Sequence, residues 1–403
     1  MHSPSSRYVS FLDTTLRDGE QSPDNAMTPE QKLKLALMLE EAGVDVIETG
    51  FPASSPMDFL ATQTISTQLK KASFATFSRT LVKDIKVAIE AGGTSDRHLV
   101  MLVATGSDLH LKNKRNITRE QGLAEVIEAV TYTRNQGLKN IALGIEDASR
   151  GEYDYMEALA RAAVKAGANQ IILADTTGYA TPQSFQDLIR HVRHWVGSTV
   201  KISTHCHNDL GFGVANAVAG IEAGADEVQA TLGGIGERAG NTALEQVAAY
   251  LQYKHSGDGV RTNIQLDKLY LAYTALREVI GLEEPRTQPL FGKYAFSTAA
   301  GIHQQGILND PDTYEYVKPH DVGRERLLLV TRHSGRSIIR HLLPELNLTL
   351  SDSEINQLYK KLISGNKGRV SKDISTLKQQ IKNEYGSKTA YIRSKHEKST
   401  PRP

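Results

Sequence analysis

As far as Tyr253, apolar and polar positions alternate in two rhythms. Short runs rich in Val, Ile, Leu and Thr recur between longer stretches whose apolar residues fall three and four apart. The short runs are YVSFLDTT, VDVIETG, SFATFSR, HLVMLVA, NIALGIE, QIILADT, VKISTHCHND and DEVQATLGG, and each reads as a strand. The stretches between them, such as Pro29 to Glu41 and Thr118 to Asn135, read as amphipathic helices. Helix ends share a phrase: Glu41-Ala42-Gly43, Glu90-Ala91-Gly92, Lys165-Ala166-Gly167 and Glu222-Ala223-Gly224. Its glycine is expected to supply the left-handed residue that stops a helix. Gly137, Gly167, Gly197 and Gly224 return at the length of one βα unit. Eight such units predict a closed (β/α)8 barrel rather than an open doubly wound sheet, and no GxGxxG follows the first strand.

The rhythm changes after Tyr253. Leu266 to Ile280 reads as a helix, and Glu283 to Ser297, with Pro285, Pro289 and Gly292, reads as a linker or extended arm. Small helical pieces are expected around Ser334 to Leu343 and Ser353 to Ile363. The organisation expected is a barrel domain over 1–275, a linker and subdomain over 276–325, a small mostly helical subdomain over 326–386, and a disordered basic tail over 387–403.

Composition narrows the function. The 403 residues carry a formal net charge of +1, so no overall field draws in nucleic acid or a membrane surface. No apolar run reaches the length of a membrane span, and the first residues hold no apolar signal core. The single cysteine, Cys206, fits a reducing compartment, with the cytoplasm as the expectation.

In a (β/α)8 barrel the active site lies where the strands end. Those ends read Asp13 to Gln21, Glu48-Thr49-Gly50, Glu146-Asp147, Asp175-Thr176-Thr177, His205 to Asp209 and Gly233 to Asn241, so polar groups converge on one rim. His205 and His207, two apart on a strand, aim to the same side. With Asp18 from another strand end they make a site for a divalent ion, and Asn241 offers a carbonyl oxygen or a hold on a bound water. The alternative is a pair of hydrogen-bonded core histidines. Arg17 offers a permanent charge to an oxygen anion, or else a structural ion pair. Thr176 and Thr177 offer hydroxyls and amides to a substrate carboxylate, or else cap a helix. The glycines from 233 to 241, with Glu237 and Arg238 among them, allow close approach to a ligand or make a tight loop.

These residues together resemble the 2-isopropylmalate synthase and homocitrate synthase family, a branch of the DRE-TIM metallolyases built on the TIM barrel. The matching motifs are LDTTLRDGEQSP, VIETGFPASSPMDF, EDASR, HCHNDLGFGVANA, GIGERAGNTALE, GIHQQGIL, DVGRERLLLV and HSGR, in order from about Tyr8 to about residue 385. The resemblance implies that Asp18, His205 and His207, with Asn241 beside them, hold a divalent metal (Mg, Mn or Zn). It places Arg17 at the carbonyl oxygen of a 2-oxo acid, Thr176 at its carboxylate and Glu146 as an acid in the pocket. Acetyl-CoA is implied along Gly234, Gly236, Glu237, Arg238 and Asn241. His303 and Tyr314 match residues that reach into the partner's barrel, which implies a homodimer with exchanged C-terminal segments. The implied reaction is condensation of acetyl-CoA with a 2-oxo acid, with His303 as candidate base, followed by thioester hydrolysis.

FPASSPMDF and SDLHLKNK look most like 2-isopropylmalate synthases, which points to 2-oxoisovalerate and leucine biosynthesis. Three positions depart from that pattern: Val100 for a usual histidine, Phe77 for leucine and Gly144 for serine. They are expected to line the pocket for the substrate's side chain and to favour an apolar 2-oxo acid over 2-oxoglutarate. The alternatives are a homocitrate synthase, a citramalate synthase or another alkylmalate synthase, a carbon–carbon lyase of the same barrel family, or a non-catalytic binding barrel. The chain ends before the effector domain that leucine-regulated relatives carry, so insensitivity to leucine is expected.

Overall fold

The eight apolar runs become eight parallel strands: β1 (Ser10–Asp13), β2 (Val46–Glu48), β3 (Ser73–Arg79), β4 (His98–Thr105), β5 (Asn140–Glu146), β6 (Gln170–Asp175), β7 (Lys201–Cys206) and β8 (Glu227–Ala230). In this computed structural model they close into a barrel in sequence order, β8 pairing back onto β1. The structure describes residues 7–254, 259–331, 333–364 and 372–397. Outward side chains of β4 to β7 join the helices packed against them in one apolar cluster. Inward ones form a buried plug of Leu12, Val46, Ala75, Leu99, Met101, Ala142 and Ile172. Burying a side chain of this size contributes about 1.5–3 kcal/mol, so the plug divides the lumen into two polar ends at no cost to stability.

Helix starts follow their local chemistry. Thr28 and Thr118 each accept from the backbone N–H three residues on while Gln31 and Gln121 reach back, closing capping boxes before Pro29–Glu41 and Arg119–Asn135. Helix ends follow the shared phrase with one exception. Gly43, Gly167 and Gly224 take positive φ. Gly92 instead ends its helix, and Gly93 at φ +72° is the left-handed residue. Gly92 is needed for space, because a Cβ there would stand 2.6 Å from the His98 ring.

The chain divides into two compact units, Met1–Glu283 and Glu284–Pro403, so the helix Leu266–Ile280 belongs with the barrel and the division falls later than residue 275. The second unit holds helices Gly301–Asn309, Ser337–Glu345, Asp352–Leu358 and Ile374–Glu397, with its own core around Ile338, Leu342, Ile355 and Ile381. It also contains a three-stranded sheet of Ser297–Thr298, Leu327–Val330 and Lys372–Asp373, which the sequence does not predict because strands of two to four residues are too short to show a period. Where a disordered tail was expected from 387, the backbone is helical as far as Glu397. Lys388, Ala390, Arg393, Lys395 and Glu397 are good helix formers, and the segment holds no Pro or Gly. Residues 398–403 of that expected tail lie outside the described residues. Among the described residues no helix is long and apolar enough to cross a membrane.

Candidate active site

A cavity of about 600 Å³ opens where the barrel strands end. Asp18, just past β1, and His205 and His207, on and just past β7, meet on its wall, all three buried. One ligand atom from each lies within 4.8 Å of the others. His205 Nε2 stands 3.6 Å from Asp18 Oδ2 and 3.4 Å from His207 Nε2.

Neighbouring groups prepare these donors for a cation. Gln229 points its amide nitrogen at the Met101 sulfur and its oxygen at His205 Nδ1, 3.0 Å away. Nδ1 therefore carries the ring proton, and the Nε2 lone pair faces Asp18 and His207. His207 Nδ1 is buried without a hydrogen-bond partner. Beside Arg17, and despite burial, Asp18 keeps its carboxyl well below the usual range, while burial pushes His205 down to about 4. Neutral imidazoles and an ionised carboxylate are the forms that bind metal. Asn241 donates its amide N–H to Asp18 Oδ1 at 2.8 Å, so it orients the carboxylate rather than presenting its own oxygen. Gly236, at φ +149°, makes that approach possible, because a Cβ there would stand 2.1 Å from the Asn241 amide nitrogen.

Arg17 lies beside this group, its Nε on Glu48 and one terminal nitrogen on Asp18, each at 2.8 Å. Its guanidinium stacks over Phe77, 5.0 Å from the ring centre. Glu48 is fully buried and also accepts from Thr14, so Arg17 is fixed from behind while lining the cavity. Thr176 lines the wall, and its hydroxyl oxygen accepts the Asp147 N–H at 2.8 Å, which turns its own proton towards another acceptor. Glu146 lines the cavity and pairs with Lys114 at 2.5 Å. Glu237 and Arg238 complete the rim, Arg238 bonded to Asp209 and to the Thr176 carbonyl, both at 2.7 Å.

The pocket's apolar wall requires one correction. Phe77 and Gly144 line it as expected, but Val100 does not. Strand side chains alternate, and on β4 it is Met101, Val103 and Thr105 that face the lumen. Val100 points outward and packs in the helix-covered shell. Glu48, Gln229, Met101 and Lys114 went without a role in the sequence reading. Glu48 had a signal as the last residue of β2, and Gln229 as a polar residue two after Glu227 on a buried strand. His303 and Tyr314 belong to the second unit, where their rings lie tilted by 35° with centres 4.5 Å apart beside a cavity of about 470 Å³.

Comparison with known proteins places this geometry. The HMGL-like family model matches residues 8–275, and the homocitrate synthase post-HMGL domain-like model matches residues 290–367. The 2-isopropylmalate synthase of Sediminispirochaeta smaragdinae is 38% identical over 358 residues, covering 88% of this chain and 71% of that protein. That of Pyrococcus furiosus is 37% identical over 380 residues, covering 93% and 76%. Among solved structures, hydroxymethylglutaryl-CoA lyase from Pseudomonas aeruginosa superposes with a TM-score of 0.59 at 20% identity, over 72% of this chain and 96% of the lyase, a likeness that carries the fold alone.

Proposed function

The chain belongs to the HMGL-like family, among relatives that are 2-isopropylmalate synthases, and from that premise we propose that it condenses acetyl-CoA with 2-oxoisovalerate to give 2-isopropylmalate. It is an acyltransferase of the kind that joins the acetyl methyl carbon to the ketone carbon of a 2-oxo acid. The observation that carries the choice of substrate is the meeting of Asp18, His205 and His207 above a pocket walled by Phe77, Met101, Val103 and Ile172.

Asp18, His205 and His207 are fit to hold a divalent ion such as Mg, Mn or Zn, which when bound would chelate the 2-oxo acid and polarise its ketone. Arg17 spends two of its five N–H groups on Glu48 and Asp18 and keeps others for the ketone oxygen as it gains charge. Thr176 donates its hydroxyl proton to the substrate carboxylate. The loop carrying Gly234, Gly236, Glu237, Arg238 and Asn241 receives the thioester end of acetyl-CoA. The alkyl group of 2-oxoisovalerate fills the apolar wall. Apart from Arg17, each Lys and Arg lining the cavity, among the described residues, already faces a carboxylate: Arg79 on Asp84, Lys114 on Glu146, Arg115 on Glu125 and Arg238 on Asp209. A second carboxylate, as in 2-oxoglutarate, would enter without a free counter-charge.

The protein works as a cytoplasmic homodimer in leucine biosynthesis, His303 and Tyr314 of one chain serving the barrel of the other, with His303 taking the acetyl methyl proton. The unpaired, buried Cys206 suits a reducing compartment. The reading is tested by supplying acetyl-CoA labelled in the methyl group together with 2-oxoisovalerate. Label in 2-isopropylmalate is expected. Label only in unreacted thioester or free acetate overturns it.

A further inference from the structure

The segment from Gly106 to Arg115 includes the SDLHLKNK motif and holds a histidine for which the condensation so far has no use. His110 sits in a short turn after β4, with its backbone N–H donating to Ser107 Oγ at 3.2 Å. Ser107 in turn donates to Asp147 Oδ2 at 2.5 Å. Arg150 clamps the same carboxylate at 2.8 and 3.0 Å and places its Nη2 3.4 Å from His110 Nε2. A guanidinium can only donate, so Nε2 is the acceptor and the ring proton sits on Nδ1. Asp147 Oδ2, 3.6 Å from Nε2, already has donors in Ser107 and Arg150 and does not compete for that proton.

Nδ1 is buried without a hydrogen-bond partner, and the group it faces is Glu146 Oε2, 3.7 Å away. The other Glu146 oxygen is held from the solvent side by Lys114, itself half exposed. Asp147 adopts φ +58°, unusual for a residue other than glycine. That turn lets Glu146 face the cavity while Asp147 folds back onto Arg150 and gives its N–H to Thr176. Gly106 has no room for a side chain, since a Cβ would stand 2.6 Å from Ile145, which keeps the turn tight against β5.

We infer that His110 is a positioning residue for the condensation proposed above, its Nδ1–H closing on Glu146 Oε2 and fixing that carboxylate in the cavity while Lys114 holds the other oxygen. The inference rests on that proposed reaction. The test compares thiol release from acetyl-CoA with 2-oxoisovalerate in wild type, His110→Asn and His110→Gln. Asparagine carries an amide N–H where Nδ1 stands, whereas glutamine carries its polar end where Nε2 stands. His110→Asn is expected within ~3-fold of wild-type kcat, and His110→Gln lower by ~10-fold or more, with KM for the 2-oxo acid little changed in both. Both are expected to melt close to wild type. In a Glu146→Gln background the difference between the two is expected to vanish. Equal kcat values, a better His110→Gln, or a difference that survives Glu146→Gln would overturn the inference. Wild type that releases no thiol with any 2-oxo acid overturns the reaction itself, a failure seen before any variant is compared.

Discussion

The two ends of the barrel lumen are both polar and buried, yet they are built on opposite terms. At the end where the strands begin, the fully buried Glu227 receives four hydrogen bonds: from Ser10 and Lys201 on one oxygen and from Gln170 and Ser203 on the other, at 2.6–3.1 Å. Every acceptor position is used. At the end where the strands finish, His207 Nδ1 and His110 Nδ1 are buried without partners, and three potential metal donors crowd together. Burying polar groups unpaired is costly, so a fold keeps such groups where something else comes to meet them. A satisfied network holds the barrel shut. The unpaired His207 Nδ1 belongs to the candidate metal group itself.

The sharpest contrast is one substitution at each end. His207→Ala is expected to lower thiol release by ~10³-fold or more and to weaken divalent-ion binding, with the melting temperature nearly unchanged. Glu227→Ala is expected to do the reverse, destabilising the fold by about 2–4 kcal/mol as its four donors lose their acceptor. The protein that remains folded should turn over as wild type does. Thermal melts and assays on both variants read this directly, and a comparable loss of activity from Glu227→Ala would erase the distinction.

The second unit supplies a different break. His303→Ala and Arg17→Ala proteins, each inactive alone, are expected to regain roughly a quarter of wild-type activity when subunits exchange, since half the dimers are mixed and each has one intact site of two. If exchange is verified by labelling and no activity returns, His303 does not serve a partner's barrel.

Within the active end, the apolar wall is expected to favour 2-oxoisovalerate over 2-oxoglutarate by at least ~10-fold in kcat/KM, about 1–3 kcal/mol. Equal rates would mean that Arg79, Lys114 or Arg115 leaves its carboxylate for the substrate. Met101→Ala should shift the preference towards larger 2-oxo acids. Val100→Ala should cost about 1–2 kcal/mol of stability and leave the preference alone. The reverse pattern would restore Val100 to the pocket.

The smallest expected effect concerns pH. Burial pushes the Glu245 carboxyl up to about 7 from 4.5. Between those values the fold keeps a proton that the unfolded chain has lost, so this contribution to stability is present below 4.5 and lost as pH rises through 7. Glu245→Gln should therefore gain in melting temperature relative to wild type between about pH 5 and pH 8. Asp13, likewise pushed up to about 7 by burial, contributes to the slope that remains. A constant difference across that window would count against a neutral Glu245.

What the sequence made legible follows the strength of each signal. All eight barrel strands were readable because β-branched runs stand out between long amphipathic helices. Asp18, His205 and His207 were readable because residues two apart on a strand share a side and strand ends share a rim. The pleat of β4 was not: HLVMLVA is apolar on both faces, since one meets the lumen and the other the helices, and nothing in it distinguishes Val100 from Met101. The link from His110 to Glu146 was hidden for another reason. It depends on Arg150, Ser107 and the left-handed turn at Asp147, which the fold alone brings together.

The proposed reaction needs a divalent ion and an apolar 2-oxo acid to meet above the lumen plug. The most direct measurement is thiol release from acetyl-CoA with 2-oxoisovalerate, by protein stripped with a chelator and then reloaded with Mg, Mn or Zn. Turnover should vanish on stripping and return on reloading, with thiol and 2-isopropylmalate formed in equal amounts. Full turnover by protein verified to be free of metal, or no turnover of any 2-oxo acid after reloading, would contradict it.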